Sequence, residues 1–304
     1  MSSAIKEEDE VMFCASCGTA GDDIKLKRCT ACYLVKYCSV KCQKDHRPQH
    51  EEECKKRAAE LRDEILFKQP DGIHYGDCPI CCLPLPTDPL QSTLYPCCCK
   101  RICNGCSVTN QMREKEGKLQ QKCPFCRKAA SKTDEEINEF LMKRIEANDP
   151  VAMWQMGMDR FNKGDYNSSF EYAARAAALG EIEAHYHLSI LYYNGLGVEK
   201  DEKKELHHVE QAAIAGHPGA RHNLGCMERE NGRMDRAVKH FIIASKLGYD
   251  DSLENVKKLY KSGHISKEDL DAALRGHKAA IDATESPQRE DAVEFWEERE
   301  RMGI

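Results

Sequence analysis

Over the second half of the chain, apolar residues return every three or four positions and polar residues fill the gaps. This rhythm predicts amphipathic, alanine-rich helices from about residue 147 onward. Three stretches align on one another. They open at Ala152-x-x-x-Met156-Gly157, Ala184-x-x-x-Leu188-Ser189 and Ala220-x-x-x-Leu224-Gly225. They close at Ala176-Ala177-Ala178-Leu179-Gly180, Ala212-Ala213-Ile214-Ala215-Gly216 and Ala244-Ser245-Lys246-Leu247-Gly248. Gly180, Gly216 and Gly248 recur at intervals of 36 and 32 residues, the period of stacked helical hairpins. Asp149-Pro150 reads as a cap and first helical residue, and Thr133-Asp134-Glu135-Glu136 as a capping box opening a linker helix over 128–148. A divergent fourth hairpin is expected over Asp251–Thr284. Ser286-Pro287 then starts a charged helix or tail, 286–304, that caps the stack.

The first half lacks such rhythm. Only Lys55–Lys68 has helical spacing, through Ala58, Leu61, Ile65 and Leu66, and Gln69-Pro70-Asp71-Gly72 stops it. Residues 55–77 are therefore read as a helical connector, and 1–13 as a disordered tail.

Cysteine usage changes the picture. Seventeen of eighteen cysteines lie between Cys14 and Cys126, mostly as Cys-x-x-Cys pairs; Cys226 is the exception, read as a small core residue. The polar, acidic start MSSAIKEEDE has none of the features of a signal peptide, so a reducing intracellular compartment is expected, cytoplasmic or nuclear rather than secreted. Paired thiols there mean metal rather than disulfides. No apolar run approaches the roughly 20 residues that span a bilayer. A net charge of −6 argues against general affinity for nucleic acid or anionic membranes.

The first group is Cys14-x-x-Cys17, Cys29-x-x-Cys32, Cys38-x-x-x-Cys42 and His50-x-x-x-Cys54, eight ligands for two tetrahedral zinc ions. Cys38/Cys42 and His50/Cys54 have the i, i+4 spacing of one helix face. The segment Lys36-Tyr37-Cys38-Ser39-Val40-Lys41-Cys42-Gln43, with His50 and Cys54, resembles a MYND zinc finger over 14–54. The resemblance implies interleaved sites: Cys14, Cys17, Cys38 and Cys42 for one zinc, and Cys29, Cys32, His50 and Cys54 for the other. It also implies docking of peptides, proline-rich ones among them. Arg47 stands where the family often carries an aromatic. Lys25, Lys27, Arg28, Lys36, Lys41 and Lys44 read as a solvated basic face, and His46 as a surface residue.

The second group is Cys78-Pro79-Ile80-Cys81, Cys97-Cys98-Cys99, Cys103-x-x-Cys106 and Cys123-Pro124-Phe125-Cys126-Arg127. Its four pairs over 78–127 resemble an all-cysteine RING finger. The implied cross-brace joins Cys78, Cys81, Cys103 and Cys106 at one zinc. Cys123 and Cys126 hold the other with two of the three adjacent cysteines. Spacing alone favours Cys97 and Cys99; the resemblance favours Cys97 and Cys98. Cys82 is read as a bystander. In ligases of this family, positions matching Ile80 and Pro124 contact a ubiquitin-conjugating enzyme. The position matching Arg127 bonds to both that enzyme and ubiquitin.

The helical half, residues 149–285, resembles Sel-like repeats, relatives of tetratricopeptide repeats. Tyr192-Tyr193-Asn194-Gly195-Leu196-Gly197-Val198, before an acidic helix start at Asp201, carries the match. Such solenoids bind protein partners. Residues 147–304 are expected to fold alone. His185, His187, His207, His208, His217 and His222 share no knuckle and read as packing or surface residues.

The expected architecture is multidomain: two small zinc-stabilised fingers and an all-α helical-hairpin solenoid. Four zinc ions are expected, and no catalytic residue. The reading is a zinc-binding protein-interaction protein acting as a RING-type ubiquitin ligase with substrate recruited by the repeats. The alternative is a non-catalytic adaptor whose MYND finger and repeats dock peptides. Nucleic-acid binding through the fingers ranks last.

Overall fold

The computed structural model describes residues 13–21, 25–131 and 133–303. The tail expected over 1–13 lies outside them apart from Phe13, which bridges to Ala20. The chain forms two compact units, Met1–Lys68 and Gln69–Ile304.

In the first unit, β1 (Lys27–Arg28) pairs antiparallel with β2 (Lys36–Tyr37), and α1 runs from Val40 to Leu66. Its buried core is Cys14, Cys29, Cys32 and Tyr37, so thiols largely replace an apolar core. Two expectations change here. Cys38 precedes α1 instead of sharing its face with Cys42. The reason is Ser39, which is extended and caps the helix by accepting a 3.2 Å bond from the Cys42 amide. The helix also does not restart at Lys55. It continues through Pro48, whose missing N–H and ring fit poorly at a helix interior.

In the second unit, β3 (Ser92–Tyr95) and β4 (Lys100–Cys103) form a hairpin whose turn holds Cys97, Cys98 and Cys99, and α2 (Asn104–Glu116) follows. Cys78, Leu85, Ile102, Cys103 and Cys106 form a small core against Tyr75, Tyr95 and Phe125. The linker helix α3 (Asp134–Glu146) is capped by Thr133, whose hydroxyl accepts from the Glu136 amide.

The hairpins come next. They are α4 (Pro150–Asn162) with α5 (Tyr166–Ala178), α6 (Ile182–Asn194) with α7 (Glu202–Ile214), and α8 (Pro218–Glu230) with α9 (Met234–Lys246). A fourth pair is α10 (Asp250–Lys261) and α11 (Lys267–Asp282); α12 (Pro287–Met302), expected to cap the stack, packs instead on α2 of the second finger, where Gly105 leaves room for the Gln288 backbone. Ala152, Ala176, Ala184, Ala212, Ala220 and Ala244 are fully buried. A methyl side chain there is what lets neighbouring helices approach.

The solenoid does not stand apart from the second finger: the two are packed together. Cys99 is packed in one cluster with Leu141, Ile145, Ala152 and Met156. The His74 amide donates to the Gly216 carbonyl at 3.2 Å, and Thr87 Oγ1 to the Leu247 carbonyl at 3.0 Å. Gly216 sits at φ 91°, and a Cβ there would lie 2.7 Å from the Gly72 oxygen. From α12, buried Arg289 donates to the carbonyls of Pro84 and Thr284 at 2.7 Å, to that of Leu83 at 3.3 Å, and to Cys81 Sγ at 3.5 Å. An arginine fork suits this task because several carbonyls lie within its plane of donors.

Candidate metal centres

Each Cys-x-x-Cys turn that starts a knuckle closes the same way. The residue after the second cysteine adopts φ > 0 and returns its amide to the carbonyl of the first. Gly18, Tyr33, Cys82 and Arg127 do so, at φ 69°, 60°, 58° and 59°, with bonds of 2.8–3.0 Å to Cys14, Cys29, Cys78 and Cys123. The turn aims both thiols at one point. Cys82 thereby has a backbone role, and its exposed thiol belongs to no cluster.

Four sets of four ligand atoms lie within 4.8 Å of one another. They are Cys14, Cys17, Cys38 and Cys42; Cys29, Cys32, His50 and Cys54; Cys78, Cys81, Cys103 and Cys106; and Cys97, Cys98, Cys123 and Cys126. A zinc–sulfur distance of about 2.3 Å gives a tetrahedral edge of about 3.8 Å. The sulfur pairs lie at or somewhat inside it: Cys81–Cys103 is 3.8 Å, Cys29–Cys54 3.7 Å, Cys17–Cys38 and Cys98–Cys123 3.6 Å, Cys38–Cys42 3.5 Å and Cys97–Cys126 3.3 Å. Cys32 Sγ is 3.1 Å from His50 Nε2, whose other ring nitrogen faces Glu53 at 4.0 Å. Thiolate chemistry, spacing and number all fit zinc. Burial opposes charge on Cys14, but the amides of Cys38, Cys17 and Ser16 outweigh it and hold that thiol down to about 6. Cys99 behaves otherwise. It adopts φ 53°, burial pushes its thiol up to about 12, and it points into the solenoid core rather than the fourth set.

A fifth grouping joins His74, Glu183 and His217. Glu183 Oε1 accepts from His74 Nε2 at 2.9 Å and from the Tyr75 hydroxyl; Oε2 lies 3.5 Å from His217 Nε2. His217 Nδ1 caps α8 by accepting the Ala220 amide at 3.1 Å, so the ring proton of neutral His217 is on Nε2 and faces the carboxylate. The trio is therefore a carboxylate surrounded by donors, not a cation site. Burial opposes its charge, but the bonds from His217 and His74 outweigh it and hold the Glu183 carboxyl well below its usual range. His217, expected as a packing or surface residue, is thus a cap and a donor. The cap had a local trace in His217-Pro218, the same pattern as Asp149-Pro150, but nothing local marked the bond to Glu183.

Ile80, Pro124 and Arg127 line one cavity of about 540 Å³, with Thr109, Asn110 and Arg113 of α2 between them. Ile80 is 45% exposed. Arg127 Nη1 lies 3.9 Å from Glu114, a buried carboxylate that also accepts the Lys122 amide at 3.1 Å. Sequence reading missed Glu114; its only trace is an acidic residue at a buried helix position. In the first unit, Tyr37, Val40, Gln43, Lys44 and Arg47 line a cleft of about 450 Å³ beside Cys29, His50 and Cys54. His46 bonds to the Tyr37 hydroxyl at 3.1 Å.

Residues 14–54 match the family model of the MYND finger, and 150–181, 182–217 and 218–249 each match that of the Sel1 repeat. The chain thus carries a zinc-binding MYND finger and three Sel1 repeats, modules of a protein that works by binding other proteins. Among solved structures it is similar to a Sel1 repeat protein from Oxalobacter formigenes. That match has 23% identity and a TM-score of 0.44, covering 59% of this chain and 71% of the other. It is also similar to c5321, a protective antigen of uropathogenic Escherichia coli with an SLR fold. Here identity is 23% and the TM-score 0.40, covering 57% of this chain and 37% of the other. No curated protein matches the chain. Among the described residues, no helix is long and apolar enough to cross a membrane.

Proposed function

We propose that this is a RING-type ubiquitin ligase that recruits its substrate through the Sel1 repeats and works in a reducing compartment, cytoplasmic or nuclear. The single observation that supports it most is the common cavity of Ile80, Pro124 and Arg127. An exposed isoleucine beside a proline gives a conjugating enzyme an apolar seat. The neighbouring guanidinium, 3.9 Å from Glu114, reaches carbonyls of the enzyme and of ubiquitin together. All sixteen metal ligands are protein atoms, so no position is left for a catalytic water. The finger holds the charged enzyme and its ubiquitin in reactive geometry, and the repeats bring the acceptor lysine close.

The test is discharge of ubiquitin from a broad panel of conjugating enzymes by zinc-loaded protein. Ile80→Ala weakens enzyme docking by about 1–3 kcal/mol. Arg127→Ala spares docking and slows discharge, because the side chain acts on the aligned reactive state. Both variants retain full zinc. Stimulation of no enzyme in the panel refutes the ligase reading.

The second reading, a non-catalytic adaptor, draws on the cleft beside Tyr37 and Val40 in the MYND finger. Proline-rich peptides are its natural probe, and calorimetric titration checks it. Arg47 on the rim, in place of an aromatic, predicts weaker apolar packing of such a peptide.

A further inference from the structure

A cavity of about 570 Å³ in the second unit shares no lining residue with the Ile80 groove and lies behind the Cys78–Cys81–Cys103–Cys106 site. The loop after the first knuckle of the second finger, the start of α10, the end of α11 and one side of α12 enclose it. Its size is that of a ligand cleft rather than a packing defect.

The lining has a definite sign. Asp88, Asp250, Asp251, Glu285 and Glu290 are all exposed along it. Its one guanidinium, Arg289, is buried and committed to three carbonyls and Cys81 Sγ. Helices α2, α10 and α12 begin beside the cavity, and each N-terminus contributes about half a positive charge. Asp250 also accepts from His277 Nε2 at 2.9 Å; even with Arg289 counted in full, the helix ends offset only about half of the five carboxylates. The cleft is anionic, and its walls concentrate that field.

The cleft also has an apolar side. Trp296 and Val293 on α12 are 38% and 49% exposed, and half-buried Ile281 lines the cavity with them. A small cation has no use for such a surface. We propose that this cleft binds an extended peptide segment of a partner protein, rich in lysine and arginine and carrying one large apolar residue. The cationic groups face the five carboxylates, and the apolar residue covers Trp296 and Val293. This site is separate from the conjugating-enzyme groove and holds whether or not the chain is a ligase.

The probe is a labelled blocked peptide, Gly-Lys-Arg-Leu-Arg-Lys-Gly, titrated into the full zinc-loaded chain and followed by anisotropy. Controls are the same peptide with serine for leucine, the Gly-Glu-Asp-Leu-Glu-Asp-Gly peptide, and spermine. Expected results are micromolar binding of the first peptide, at least tenfold weaker binding of both control peptides, and affinity that falls with salt. Glu285→Lys with Glu290→Lys weakens binding at least tenfold. Trp296→Ala does so fivefold or more. Reversal of Glu294 and Glu298, on α12 but outside the lining, leaves affinity within twofold. Circular dichroism and zinc content verify each fold, and the double reversal decides the matter if Trp296→Ala does not fold. Equal binding of the leucine and serine peptides, or equal loss in the control reversal, would reduce the effect to bulk charge and overturn the proposal. So would competition by spermine at the same concentration, absence of binding, or self-association of the chain abolished by Trp296→Ala.

Discussion

Removing the Glu183 carboxylate should loosen the second finger from the repeats. Glu183 is the second residue of α6, with a side chain 12% exposed. His74 and Tyr75 reach it from the strand of chain ahead of Cys78, and His217 reaches it from the start of α8. One carboxylate thus joins segments more than 100 residues apart. Glu183→Ala leaves the Tyr75 hydroxyl and both imidazoles without their acceptor. His74 is the most exposed to this loss, since its Nδ1 already lacks a partner and its side chain is 5% exposed. Truncating one side of a buried charge-assisted cluster costs about 3–5 kcal/mol, a large share of the roughly 5–15 kcal/mol that holds a domain together. Glu183→Gln keeps an acceptor oxygen but turns an amide donor toward other donors, so about 1–3 kcal/mol is expected.

The assay is urea unfolding of the full chain. Far-UV circular dichroism follows the helices, and a chromophoric chelator follows zinc release. Wild type should show the repeats and the second finger giving way together. Glu183→Ala should release two of the four zinc ions at lower urea than the helices melt. A cycle with Tyr75→Phe should show a coupling of about 0.5–3 kcal/mol, as expected for groups in direct contact. A loss below about 1 kcal/mol in Glu183→Ala, with coincident transitions, would refute the claim that this carboxylate joins the two parts.

How much of this was legible in the sequence depends on the distance over which each signal acts. Local signals were readable. Asp149 caps α4 with Pro150 as its first residue, Thr133 caps α3, and Gly180, Gly216 and Gly248 all have φ near 90° after a helix. The solenoid and the MYND finger followed from such signals. The left-handed turn after each knuckle was legible only at Gly18, because Tyr33, Cys82 and Arg127 adopt a conformation that their side chains disfavour and the turn imposes. Contacts across long sequence separations left no trace. Arg289 is one basic residue in a charged helix until Leu83 and Pro84 are brought beside it. Of three adjacent cysteines, chain spacing pointed to Cys97 and Cys99 and so misplaced the one that turns away. The structure turns Cys99 into the core under α3 and α4, and leaves Cys97 and Cys98 beside Cys123 and Cys126.

Further predictions follow from other parts of the molecule. Elemental analysis should return four zinc ions per chain, and two or fewer in folded protein would remove one finger from the account. Chelation should lower the melting temperature of the repeats rather than leave it unchanged, because Cys99 and Arg289 tie finger and solenoid together. Gly197→Ala should destabilise by more than the roughly 1 kcal/mol cost of a left-handed alanine. Gly197 sits at φ 70°, and its new Cβ would lie 2.1 Å from the backbone oxygen of Tyr166; a tolerated alanine in thermal melts would contradict that contact. His187 should make the repeats acid-sensitive. It is buried beside Phe161, bonds to Ser169 Oγ at 2.9 Å, and burial holds its pKa down to about 4 from an ordinary 6.5. A depressed folded-state pKa means that the stabilisation of the neutral ring is fully present above about pH 6.5 and is lost as pH falls toward 4. Between pH 7 and pH 5 the linkage amounts to about 2 kcal/mol. Low pH also protonates zinc thiolates, but that loss is common to wild type and His187→Gln. The difference between their urea midpoints should therefore shrink by about that amount on acidification, and parallel pH profiles would show that His187 is not the titrating group.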